Sequence, residues 1–146
     1  MGCDIHLYVE RKENGRWVSL DKWTVDADEF GREGAGVMWE DRFYRHRNYL
    51  LFGILAGVRD RSLASISKPR GLPKDVTLEV QKESESWNTD GHSHSWLTLA
   101  ELQSYDWSSA LAEPVGAPST FVNEAIPKLE ALGEPESVRI VFFFDN

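Results

Sequence analysis

An α+β fold is predicted by strand-like periodicity at both ends of the chain and by helical periodicity with recognisable caps between them. At the first end, Cys3, Ile5, Leu7 and Val9 alternate with Asp4, His6, Tyr8 and Glu10, so one face of an extended segment is apolar and the other carries the chemistry. Asn14-Gly15 is a hairpin-turn signal, and Trp17, Val18 and Leu20 resume an extended pattern. Residues 3–11 and 16–21 are therefore expected to form a hairpin. At the other end, Val138 to Phe144 is a β-branched and aromatic run suited to a central strand covered on both faces, pairing beside the first strand.

Between these ends, Tyr49, Phe52 and Leu55 or Ala56 recur at helical steps behind a capping Asn48, which predicts a helix over about 48–60. Thr98-Leu99-Ala100-Glu101 matches a capping box and predicts a short helix ending near Tyr105, with His92 and His94 in the loop before it. Residues 119–132 read as a helix closed by Gly133, with Pro127 bending it or marking a second start. Pro73 to Glu85 adds a weaker, largely solvated helix. Residues 22–45 and 61–72 lack sustained periodicity and are expected to be long loops. The whole is one domain over residues 1–146, a small, mainly antiparallel sheet with helices against one face.

Composition narrows the function classes. The 24 acidic and 16 basic residues leave a net charge of -8, which opposes attraction to a phosphate backbone and disfavours direct nucleic-acid binding. Cys3 is the single cysteine, so no intramolecular disulfide can form, and a reducing, cytoplasmic compartment is expected. No apolar run approaches the roughly 20 residues of a membrane span. A serine-hydrolase elbow, a phosphate-binding Gly-x-x-x-x-Gly-Lys segment and a Gly-x-Gly-x-x-Gly turn are all missing, which sets those enzyme classes aside.

Three of the four histidines sit in two clusters, Cys3-Asp4-Ile5-His6 and Asp90-Gly91-His92-Ser93-His94. Asp4 and His6 share a strand face with their bases about 7 Å apart. With His92 and His94 they make a candidate ligand set for a divalent metal such as zinc or manganese, and Asp145 can add a carboxylate. The same residues equally serve as hydrogen-bonding fixtures and caps. Cys3 faces the apolar side and reads as a buried structural thiol.

A second constellation, Arg42 to Tyr49, interleaves guanidinium and aromatic groups just before a helix, suited to a phosphate or to ion pairs with Glu40 and Asp41. Of the six tryptophans, most are expected in the core or under loops, while Trp96 stands near His94, where it can stack on a base. Ser67 to Pro73 places Lys68 and Arg70 in a stiffened loop that can close over an anion.

Met-Gly-Cys-Asp-Ile-His at positions 1–6, Phe43-Tyr44-Arg45 with Arg47-Asn48-Tyr49, Pro69-Arg70-Gly71-Leu72-Pro73, His92-Ser93-His94-Ser95-Trp96-Leu97 and Phe144-Asp145-Asn146 together give a pattern running over nearly the whole chain. In these segments the chain resembles a family of small tailed-bacteriophage and prophage proteins. The resemblance implies the host bacterial cytosol as location and supplies no catalytic residues. By analogy with small accessory phage proteins, it implies action on host defence through a bound protein or nucleotide signal.

Three functions are compatible with these residues. The first is a binding module in which Arg45, Arg47, His92, His94 and Trp96 capture a phosphorylated, nucleotide-like molecule. The second is a metal-dependent hydrolase, such as a phosphodiesterase, on Asp4, His6, His92 and His94. The third is an acidic surface that engages a host protein. Binding is favoured, because no general base is paired with the metal set.

Overall fold

The N-terminal hairpin forms as its turn demands: β1 (Asp4–Glu13) passes through Asn14 and Gly15, both in the left-handed region, into β2 (Arg16–Ser19). The structure is a computed structural model and describes residues 2–25 and 35–146. The C-terminal strand lies beside β1 antiparallel, with Asp4 opposite Asp145, His6 opposite Phe143 and Glu10 opposite Arg139. Its outer neighbour is a strand at Gly91–Thr98, so the four-stranded antiparallel sheet runs, in chain positions, 16–19, 4–13, 138–145 and 91–98.

The strand at Gly91–Thr98 replaces the loop expected around His92 and His94. His92 pairs with Phe144 and Ser95 with Phe142, so the register slips between them, and Ser93 sits at φ 54°. Such a bulge breaks the alternation that marks a strand, which is why the segment reads as a loop. A second difference falls in the expected 22–45 loop. There β3 (Trp23–Val25) pairs antiparallel with β4 (Ala35–Val37) as a separate two-stranded sheet, while the rest of that loop between them lies outside the described residues. The strand after them, Gly91–Thr98, is β5, and β6 is Val138–Asp145.

Helix α1 (Tyr49–Ala56) starts as predicted, with the Asn48 side chain accepting from the Leu51 N–H at 2.9 Å. It ends earlier than position 60. Gly57 takes the left-handed conformation at φ 69°, and its N–H closes on the Gly53 carbonyl at 2.8 Å. Helix α2 (Leu78–Ser86) is shorter than the expected segment and not merely solvated, because Val80 and Ser84 are buried. In α3 (Leu99–Ser104) both reciprocal bonds of the predicted capping box form between Thr98 and Glu101. A further turn of helix, α4 (Ser108–Leu111), follows. Pro127 has the expected effect of marking a second start: a π-helical turn at Phe121–Ala125 precedes α5 (Ile126–Glu130), since proline cannot donate to the turn before it.

Both faces of the sheet are covered, where helices on one face were expected. On the first face Ile5, Leu7, Val9, Leu97, Ile140, Phe142 and Phe144 meet α1, α3 and α5 in the main core, and Cys3 is fully buried among them. Burial raises the Cys3 thiol above its ordinary value, as the structural reading requires. On the second face Tyr8, Val141 and Phe143 pack with Val80 of α2, and Trp23, Trp87 and Trp96 close over them. Fully burying one such aromatic or aliphatic side chain is worth about 1.5–3 kcal/mol, so the alternation of β6 feeds two cores at once.

The second face also buries charge. Glu10, with no exposed surface, accepts from Arg139 Nε at 2.7 Å and from the Thr77 N–H at 2.9 Å. Arg139 continues to Asp75 at 2.9 Å and lies 3.9 Å over the Trp17 ring. A neighbouring carboxylate, Asp21, accepts from the Val9 N–H at 2.8 Å and is pushed up to about 7 by burial, helped by the charge of Glu10 and opposed by that hydrogen bond. A carboxyl whose folded value lies above its unfolded one holds an extra proton when folded. The contribution of Asp21 to stability should therefore fall as pH rises from about 4 to about 7, and Asp21→Asn should remove that contribution from the pH profile. Urea denaturation of both proteins across this window checks it; parallel pH profiles would refute the burial of Asp21.

Candidate functional site

One end of the sheet gathers side chains from four distant stretches of the chain. The start of β1, the end of β6 and the start of β5 lie in one row, Asp4 opposite Asp145 and Asp145 opposite Gly91, and Arg47 reaches in from the segment before α1. Within this end, however, each predicted residue already has a partner.

His6 is buried, its ring stacked on Phe143 at 5.0 Å and tilted against Trp87 at 4.4 Å. Its Nε2 bonds the Asp145 carboxylate. Burial lowers the His6 pKa despite that carboxylate, so the neutral ring donates from Nε2. Its buried Nδ1 then has no partner among the described residues. His92 stands outside the core, with Nε2 on Asn146 Oδ1 and Nδ1 3.0 Å from Ser93 Oγ. His94 stacks on the Phe143 ring at 5.2 Å, and its pKa is lowered first by burial and then by His92.

Phe143 thus separates His6 from His94, while the bulge sends His92 to the row of Phe144. Asp4 is taken by Arg47, whose Nε and Nη2 both reach its Oδ1, at 3.0 and 2.9 Å. Asp4, His6, His92 and His94 are consequently not gathered on a point, and no group of three or more His, Cys, Asp or Glu among the described residues is arranged to hold a metal ion.

The predicted phosphate-binding set is likewise divided. Arg45 lies 5.6 Å over the Trp39 ring and donates to the Trp39 carbonyl at 3.2 Å, and Arg42 covers the same ring at 5.3 Å. Trp96 is covered by Arg70 at 4.7 Å, and Arg70 in turn pairs with Glu101. Of the five, Arg47 borders a cleft. It has a volume of about 340 Å³ at the N-terminal end of α1 and is lined by Arg47, Asn48, Tyr49, Leu50, Asp60, Ser62, Glu113, Val115 and Gly116. His92, His94, Trp96 and Arg45 do not line it.

Arg47 joins the two places, bordering the cleft while its guanidinium contacts Asp4 and packs over Gly2, where any side chain would collide with it. Half of each partner in the Arg47–Asp4 pair is exposed, so the pair is screened and exchangeable. Beside it, the first N–H groups of α1 carry the partial positive charge of a helix start. Across the cleft, Asp60 turns back on Ser62, its Oδ1 accepting from the Ser62 N–H at 2.9 Å and from the hydroxyl at 2.6 Å. These two bonds hold the Asp60 carboxyl below its ordinary range. Asp60, Ser62 and Glu113 were not among the predicted site residues; the Asp-x-Ser turn signal marks the bend but nothing local says which cleft it faces.

No known protein family, curated protein or solved structure matched the chain. Among the described residues no helix is long and apolar enough to cross a membrane.

Proposed function

We propose that the protein is a binding module for a small phosphorylated, nucleotide-like molecule, seated in the cleft at the start of α1. The observation that supports this reading is the mixed lining of that cleft. Arg47 and the α1 amides suit a phosphate, while Asp60 and Glu113 suit the hydroxyl and amine donors of a sugar and base. A bare phosphate gains from the first set and is repelled by the second. A nucleoside monophosphate uses both, and a volume near 340 Å³ lies within the usual range of small-ligand sites.

The phosphate displaces Asp4 from Arg47, replacing one oxygen acceptor by two or three. Asp4 then remains exposed to water at the end of the sheet. In a phage setting, such capture would remove a nucleotide signal of the host's defence without chemical turnover.

Calorimetric titration with 5′-AMP, adenosine and inorganic phosphate tests the reading. The expected result is one-to-one binding of AMP, with adenosine and phosphate each at least tenfold weaker. Arg47→Ala should weaken AMP at least tenfold, whereas Arg45→Ala, away from the cleft, should leave it unchanged. Equal affinity in wild type and Arg47→Ala would reject the seat, and no binding of any of the three compounds would reject the function.

A further inference from the structure

The loop at 57–69 is a wall between two clefts. Asp60 and Ser62 line the cleft at the start of α1, and the intervening Arg61, with Leu63, Ser65, Lys68 and Pro69, lines another of about 470 Å³ beside the end of the same helix. The second cleft differs in charge from the first. Its titratable lining residues are both cations, Arg61 and Lys68, in a chain whose net charge is -8.

Neither cation has a carboxylate within ion-pair distance among the described residues. Arg61 uses its Nε on the Gly57 carbonyl at 3.0 Å, which accounts for one of its donors and leaves both terminal nitrogens. The carbonyls at the end of α1 favour a nearby cation, but Lys68 makes no bond to them. Two like charges facing a shared space without a counterion repel one another, and an anion between them removes that cost. The remaining lining is apolar, from Ala56, Leu63 and Pro69, with the Ser65 hydroxyl as a further donor.

We propose that this cleft is a second ligand site, for a small amphiphilic anion: its acidic head lies between Arg61 and Lys68 and its apolar body against Ala56, Leu63 and Pro69. The site is independent of the nucleotide seat, because none of its lining residues borders the other cleft.

The test uses the full chain and the fluorescent anion 1-anilinonaphthalene-8-sulfonate, whose sulfonate and fused rings match the two halves of the site. Saturable one-to-one binding is expected, competed by octanoate and not by equal concentrations of inorganic phosphate, which has a head and no body. Arg61→Ala/Lys68→Ala should weaken the probe at least tenfold. Both side chains are exposed, so circular dichroism should show an unchanged fold. Arg16→Ala, which removes an exposed cation on β2, should leave the affinity within twofold. Equal binding by the double variant and the wild type would overturn the proposal, as would an equal loss in Arg16→Ala, since net charge alone would then govern the probe. Phosphate competing as well as octanoate would overturn the apolar half of the assignment.

Discussion

Arg139→Ala should lower the unfolding free energy by about 3–5 kcal/mol, a large fraction of the stability of an ordinary domain. The reason lies less in what Arg139 contributes than in what it leaves behind. Glu10 has no exposed surface and loses its one cationic partner among the described residues, and the guanidinium contacts to Asp75 and Trp17 go with it. Removing both charges together is a different experiment. In Glu10→Leu/Arg139→Met no buried charge is orphaned, and the double variant should be more stable than Arg139→Ala. Urea denaturation of the two variants and the wild type decides it. A loss under about 1 kcal/mol in Arg139→Ala would mean that the pair is wet in solution and that the second face is looser than described.

The second large effect comes from one hydrogen atom of a glycine. A Cβ on Gly53 would fall inside the van der Waals surface of the Asp60 carbonyl oxygen, with the carbonyl carbon only 2.7 Å away. Backbone cannot rotate aside as a long side chain does, so α1 and the loop must separate. Gly53→Ala is expected to cost about 3 kcal/mol or more. Gly57→Ala supplies the contrast: nothing lies within 4 Å of its Cβ position, but its φ is 69°. That substitution should cost only about 1 kcal/mol, through the left-handed backbone. Because the displaced loop walls both clefts, Gly53→Ala should also weaken AMP and the sulfonate probe, whereas Gly57→Ala should spare AMP. Chemical denaturation and the two titrations read these outcomes, and similar losses in both variants would contradict the close approach.

Local signals in the sequence were reliable where a few adjacent residues determine the geometry. Asn14-Gly15, Asn48 and the Thr98/Glu101 pair each define a turn or cap through bonds made within four residues, and all three form. Signals failed where one residue interrupts a period. The bulge at Ser93 hides β5, and strands of three residues around Trp23 and Gly36 are too short to show alternation. Gly57 ends α1 early because a single left-handed residue outweighs the apolar pattern that continues toward it.

The second face was half legible. An arginine inside the apolar run of β6 already asks for a buried partner, and Glu10 stands on the polar row of β1, but their pairing depends on the register between strands 129 residues apart. For the site, strand pairing correctly brought Asp145 beside Asp4. The convergence of Arg45 and Arg47 with His92, His94 and Trp96 did not follow, because stacking claims the residues first: Phe143 takes His94, Trp39 takes Arg45 and Arg70 takes Trp96. Of the predicted ligand-binding side chains, Arg47 borders a cleft, and the loop that completes that cleft carried no periodicity to mark it.

The most direct test of the binding reading is a backbone amide chemical-shift map of the ¹⁵N-labelled protein titrated with 5′-AMP. The largest shifts should fall on 47–50, 60–62 and 113–116, the three segments that meet at the cleft. A map centred instead on 92–96, or shifts spread evenly over the acidic surface, would contradict a nucleotide seat at the start of α1.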